Sequence, residues 1–267
     1  MTSSVTNFLR ASPVFNRFTT ILQTLNLPGK VEIEARVGKI SQGRYRYQPN
    51  FLTESLVQVQ YVDISDEDLK FFINAVLKQQ KLPPFPSQIF EPQQQNLQFS
   101  PSIPQEYFIF LGNIRKPKFE PFYQKSMKIE QPFPFLNLRK REDINNRVIE
   151  NIAKIRLANF DISTVFDFDY RISISLEIKV PPFVDSGAER RKRGSVIYQN
   201  VQCDMTEFGD GDDFQIELEG DNIATVVEGI REICCVLSDY CDIFDGDEPE
   251  KVEDEEELQE DISDEFD

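Results

Sequence analysis

The sequence predicts an α+β protein: a closed antiparallel β-barrel with a polar lumen, flanked by helices. Three observations predict it. Several segments alternate apolar and charged residues with period two. The charges on their polar faces are sorted by sign from one segment to the next, and three amphipathic helical segments are available to cover the apolar faces.

The chain has 267 residues, ample for one domain of the larger kind. It contains no His, which excludes Ser-His-Asp and Cys-His catalysis, imidazole bases and His-bearing zinc sites. Chemistry is left to carboxylates, Lys and Arg, hydroxyls, thiols or a hard metal. The formal charge is −17, but residues Asp245 to Asp267 hold 14 acids and one base, a net of −13 that leaves the body at −4. The first residues lack the cationic start and apolar run of a secretory signal, and no window approaches 18 apolar residues, so a soluble intracellular chain is expected.

In chain order, Ser12 and Pro13 open a first predicted helix carrying Phe15, Phe18, Ile21, Leu22 and Leu25 up to Pro28. Val31 to Gly38 then alternates Val31, Ile33, Ala35 and Val37 against Glu32, Glu34 and Arg36. A second helix is expected behind the N-cap Ser65, with first-turn acids Asp66, Glu67 and Asp68, and Pro83 and Pro84 stop it. Residues 84–105, rich in Pro, Gln, Ser and Phe, are expected to be a loop or disordered insertion. Shorter basic strands are expected at Leu138 to Arg141, Lys154 to Leu157 and Glu189 to Arg193. Longer alternating strands are expected at Arg171 to Val180, Val201 to Thr206 and Asp213 to Glu219. A third helix runs from Ile223 to Ile243, after Gly220 and Asp221. Domain 1–244 is thus a single unit, and 245–267 is an acidic tail expected to be disordered. Cys203, Cys234, Cys235 and Cys241 form no CxxC pair and are expected to be reduced core thiols.

Any one charged face would suit a solvated sheet. Acids on the first and last strands (Glu32, Glu34, Glu217, Glu219) and bases on those between are a sorting that solvent does not require. In a closed barrel the two ExE pairs become neighbours, and convergent carboxylates call for a cation. Oxygen-only ligands favour Mg²⁺ or Mn²⁺ over zinc. Arg139, Lys154, Arg191 and Arg193 across the lumen would hold phosphate oxygens, an arrangement suited to phosphoryl transfer.

Five segments in order, Val31-Glu-Ile-Glu-Ala-Arg-Val-Gly-Lys-Ile40, Asp169-Tyr-Arg-Ile-Ser-Ile-Ser-Leu-Glu177, Arg191-Lys-Arg-Gly-Ser195, Val201-Gln-Cys-Asp-Met-Thr206 and Gln215-Ile-Glu-Leu-Glu219, carry a family resemblance. They resemble the strand motifs of the fungal and protist metal-dependent mRNA 5′-triphosphatases, the capping enzyme β subunits of the triphosphate tunnel superfamily. The resemblance implies metal-binding acids at Glu32, Glu34 and Glu219. It places water-positioning or base-orienting acids at Glu177 and Glu217, phosphate-contacting bases at Arg139, Lys154, Arg191 and Arg193, and a supporting strand at Asp204 and Thr206. It implies removal of the γ-phosphate from 5′-triphosphate RNA, a nuclear enzyme, and Mg²⁺ or Mn²⁺ as cofactor. Gln215 stands where the family usually has a third acid of the last strand, and Arg191 replaces the common Lys. With no Trp and no Lys-x-Asp-Gly motif, guanylyl transfer is expected on a separate guanylyltransferase, recruited without the family's Trp-bearing peptide. Two alternatives stand beside this reading: a tunnel that hydrolyses tripolyphosphate or free nucleoside triphosphates, and a non-catalytic module that binds RNA 5′ ends. A pure anion binder would gain nothing from Glu32, Glu34 and Glu219 facing its ligand.

Overall fold

The computed structural model describes residues 17, 20, 30–47, 54–62, 64–78, 97–126, 136–182, 186–198, 201–209, 211 and 213–245. In chain order these form β1 (Lys30–Gln42), β2 (Tyr45–Arg46), β3 (Ser55–Tyr61), α1 (Asp66–Leu77), β4 (Leu97–Ser100) and α2 (Gln105–Arg115). There follow β5 (Lys118–Ser126), β6 (Leu136–Glu142), β7 (Val148–Ser163), β8 (Asp169–Lys179), β9 (Ser186–Tyr198), β10 (Val201–Phe208), β11 (Asp213–Gly220) and α3 (Ile223–Asp245). Eight strands close on themselves in the order β1-β8-β7-β6-β5-β9-β10-β11, with β11 returning to β1. All these pairings are antiparallel, so the expected closed barrel is observed.

Period two decides which side chains enter the lumen. On β1, Ile33, Ala35 and Val37 point outward and are buried, and on β8 so are Ile172, Ile174, Leu176 and Ile178. Their cover includes α3, whose Val226, Val227, Ile230, Ile233, Cys234 and Leu237 are buried in the same apolar cluster. Ser65 caps α1 by accepting from the Asp68 amide at 3.1 Å, and Asn222 caps α3 by accepting from the Ala224 amide at 2.9 Å. Both helices bury the faces that periodicity assigns them. Cys203, Cys234 and Cys235 are free thiols.

Three expectations change. Residues 97–100, inside the segment expected to be loop, form β4, because backbone pairing with Lys39 to Gln42 and burial of Phe99 outweigh the polar composition. A Cβ on Gly38 would lie 2.1 Å from the Ser100 carbonyl oxygen, so glycine is what lets β4 approach. The basic strand expected at Lys154 to Leu157 is the middle of the 16-residue β7, and a register shift between Arg156 and Ala158 reverses the parity beyond it. β5 was not among the expected strands; it holds Pro121 because β6 pairs only with Tyr123 to Ser126, which leaves Pro121 where β5 has β9 as its sole neighbour. Of the first predicted helix only Arg17 and Thr20 are described, and both are helical. The tail beyond Asp245 and the Cys241 side chain lie outside the described residues.

Candidate active site

Registers across β11-β1-β8 put Glu34 opposite Glu219 on one side and Ser173 on the other, and pair Arg36 with Glu217 and Arg171. The polar face of β1 therefore looks inward with those of its neighbours. Glu32 and Glu34 are 5% and 3% exposed and Lys154 is 4% exposed, so these charges meet one another before they meet solvent.

At the Lys30 end, the Lys30 ammonium lies 2.5 Å from Glu219 and 3.6 Å from Glu177. Burial pushes up the Glu177 and Glu219 carboxyls, and the charge of Glu32 adds to the rise in both. Deeper in, Lys154 contacts Glu32, reaches Glu34 at 2.6 Å and lies 3.7 Å from Glu177. Burial opposes ionisation of Glu34, yet Arg36, Lys154 and Arg156 together hold its carboxyl well below the usual range. Arg36 contacts Glu34 and lies 2.7 Å from Glu217. Those two acids keep its guanidinium pKa raised against burial.

Toward the Gly38 end the lumen widens into a cavity of about 560 Å³. Arg36, Arg139, Lys154, Arg156, Arg171, Arg191 and Arg193 line it, with Glu217 the one acid among the described residues, beside the amides of Gln60, Gln124, Asn137, Asn159 and Gln215. Arg193 is fixed by donating to Asp204 at 2.9 Å and to Thr206 at 3.0 Å, and Ser195 donates to the other oxygen of Asp204 at 2.6 Å. Arg191 donates to Glu189 and stacks over Phe208 at 4.2 Å. Burial lowers the pKa of Arg191, with Arg139 and Arg193 contributing, and that of Arg156, with Arg36 and Arg139 contributing. An anion entering this cavity relieves that strain of like charge.

The structure thus brings together Glu32, Glu34, Glu177, Glu217, Glu219, Arg139, Lys154, Arg191 and Arg193, with Asp204 and Thr206 behind Arg193. Gln215 lines the cavity and bonds Asp213 at 3.1 Å. Arg141, one alternate position along from Arg139, pairs with Glu150 at 3.2 Å instead of lining the cavity. Arg36, Arg156 and Arg171 join the site without having been assigned to it. The parity of Arg36 and Arg156 already placed them on the inner face. Asn159 and Asp161 were hidden because the shift after Arg156 moves the inner face to the opposite parity.

A hard cation suits the donors present, which are all carboxylate oxygens. Glu32 Oε2 and Glu34 Oε1 are buried, and their contacts are with the cationic groups of Lys154 and Arg36. Among the described residues no three acids already converge as a metal cage. Lys154 stands between two of the carboxylates that would form one.

The family described as mRNA capping enzyme, beta chain, matches residues 1–231 of the chain. Among solved structures, S. pombe Pct1 RNA triphosphatase in complex with the Spt5 CTD is similar at a TM-score of 0.56 and 17% identity, over 92% of this chain and 91% of that one. A second structure of S. pombe Pct1 RNA triphosphatase gives 0.54 and 16%, with the same coverage. These structural likenesses are of fold. No curated protein sequence matches.

Proposed function

Because the chain belongs to the family of mRNA capping enzyme β chains and is an mRNA 5′-triphosphatase of that hydrolase family, we propose that it works with Mg²⁺ or Mn²⁺ held by Glu32, Glu34 and Glu219. Oxygen-only donors, two of them buried against cationic side chains, support this assignment. When bound, the cation supplies positive charge at the γ-phosphoryl oxygens.

The chain's own residues perform the rest. Arg139, Arg191 and Arg193 bind the α- and β-phosphates in the cavity and hold the triphosphate in line, where Arg forks suit paired phosphate oxygens. Glu217, 2.7 Å from Arg36 and 3.7 Å from Arg193, aims these two cations. Asp204 and Thr206 fix Arg193 from behind. Glu177, half enclosed at the acidic end, orients the attacking water. The water oxygen bonds to the γ-phosphorus as the bond to the β–γ bridging oxygen breaks, and the products are diphosphate-ended RNA and inorganic phosphate. Of the water's two protons, one stays on the departing phosphate and the other is released to solvent.

The observation that carries this reading is the closed lumen with acids at one end and a cationic cavity beside them. Since the substrate is the end of nascent mRNA, the enzyme works in the nucleus. It hands its diphosphate product to a guanylyltransferase, whose Lys-x-Asp-Gly motif these 267 residues do not contain. Phosphate release from γ-labelled triphosphate RNA with Mg²⁺ or Mn²⁺ tests the assignment. Wild type is active, and Glu32→Ala and Glu219→Ala lose phosphate release by on the order of a hundredfold. Variants matching wild type would sink it. ATP and tripolyphosphate assayed in parallel report selectivity for RNA.

A further inference from the structure

Lys154 faces two ways. Its ammonium lies among Glu32, Glu34 and Glu177, and its side chain also lines the cationic cavity where the triphosphate binds. A divalent cation held by Glu32 and Glu34 needs the space and the charge that the ammonium now provides.

From this geometry we propose that Lys154 is a displaceable internal counter-cation. In the ion-free enzyme its ammonium keeps Glu32 and Glu34 together. On entry of the divalent cation it moves along the lumen to a phosphate oxygen. The inference rests on the metal reading above and adds to it a residue that competes with the ion.

Three features make the exchange physically reasonable. The buried carboxylates are never left uncompensated, since one cation replaces another. Arg36 grips Glu34 from the opposite side, so that carboxylate keeps its place when Lys154 leaves. A four-carbon stem ending in a point charge moves between partners at small geometric cost, whereas a guanidinium fork would lose a matched pair of bonds. The consequence is coupling: a triphosphate that draws Lys154 away tightens cation binding, and by reciprocity the cation tightens triphosphate binding.

The test is Mn²⁺ binding by the full-length protein without substrate, read as free Mn²⁺ by electron paramagnetic resonance, with thermal melts alongside. Lys154→Met should bind Mn²⁺ about tenfold more tightly than wild type, within the usual range of site-to-site coupling. Its melting temperature should be lower without ions and rise more steeply with Mn²⁺. Lys154→Arg, which keeps the charge on a less mobile group, should bind Mn²⁺ no better than wild type. A folded Lys154→Met with affinity equal to or below wild type overturns the proposal. If that variant is unfolded without ions, refolding on Mn²⁺ addition, followed by circular dichroism, supports it, and failure to refold counts against it. Absence of Mn²⁺ binding in both wild type and Lys154→Met overturns the metal reading itself, which is a distinct result.

Discussion

Two stretches of one lumen handle charge in opposite ways. At the Lys30 end, Glu32, Glu177 and Glu219 crowd together, and burial with the charge of Glu32 pushes two carboxyls toward protonation. In the cavity, burial and mutual repulsion press the Arg156 and Arg191 guanidiniums the other way. Glu34, Arg36 and Lys154 sit between them and are tightly paired. Neither outer stretch is balanced by its own residues. The acidic one is set for a cation and the basic one for an anion, with the paired centre holding the two apart.

The strongest way to break this contrast is to remove its centre. Glu34→Ala leaves Arg36 and Lys154 without their shared acid and should cost about 3–5 kcal/mol of stability by chemical denaturation, along with nearly all phosphate release. Arg193→Ala strikes only the anion side. It should lower kcat on the order of a hundredfold, the scale of losing one preorganised donor, while Mn²⁺ binding stays as in wild type.

Acid titration of the ion-free protein separates the two sides by sign. The Glu177 and Glu219 carboxyls are raised in the folded state, so the stability they confer is complete below their unfolded values and is lost as pH rises through the folded ones. Glu34 is lowered, so its contribution is present above its unfolded value and is lost only well into acid. Glu219→Gln should therefore gain relative to wild type in melts at neutral pH and lose that gain as pH falls. An advantage that persists unchanged into acid would show that Glu219 is not strained.

Arg141→Ala removes a partly exposed pair with Glu150 outside the cavity, and should change phosphate release by no more than about fivefold. Truncation after Phe244 removes the acidic tail, with its net −13 beginning at Asp245, and should leave the rate within experimental error. A collapse of activity in that folded truncation would show that the lumen's field is not local.

Legibility followed the physics of each element. Strands such as β1 and β8, with one face buried under apolar cover and one face charged, could be read from alternation alone, and their parity placed Glu32, Glu34 and Glu177 inside before any coordinates. Parity also carried Arg139 and Arg193, because β6 keeps its register with β7 up to Arg141 and β9 keeps its register with β10. It failed beyond Arg156, where one extra residue turns Asn159 and Asp161 inward. β5 carries Pro121, which counts against a strand on propensity and is accommodated only because β9 alone flanks that half. The position of Lys154 between Glu32 and Glu34 is set by barrel closure and depth, which no spacing along one strand encodes.

The seam between β1 and β11 carries a consequence for how the enzyme comes into being. It joins the first barrel strand to the last through four residue pairs, Ile33 to Arg36 with Gly220 to Glu217, whereas β1 and β8 share nine. Glu34 meets Glu219 only across this seam. A chain still emerging from the ribosome has Glu32 and Glu34 in place long before it has Glu219, and so has no tunnel until its last strand arrives. Contacts this distant in sequence are late and slow to form. Activity should therefore appear in one step when the ring shuts.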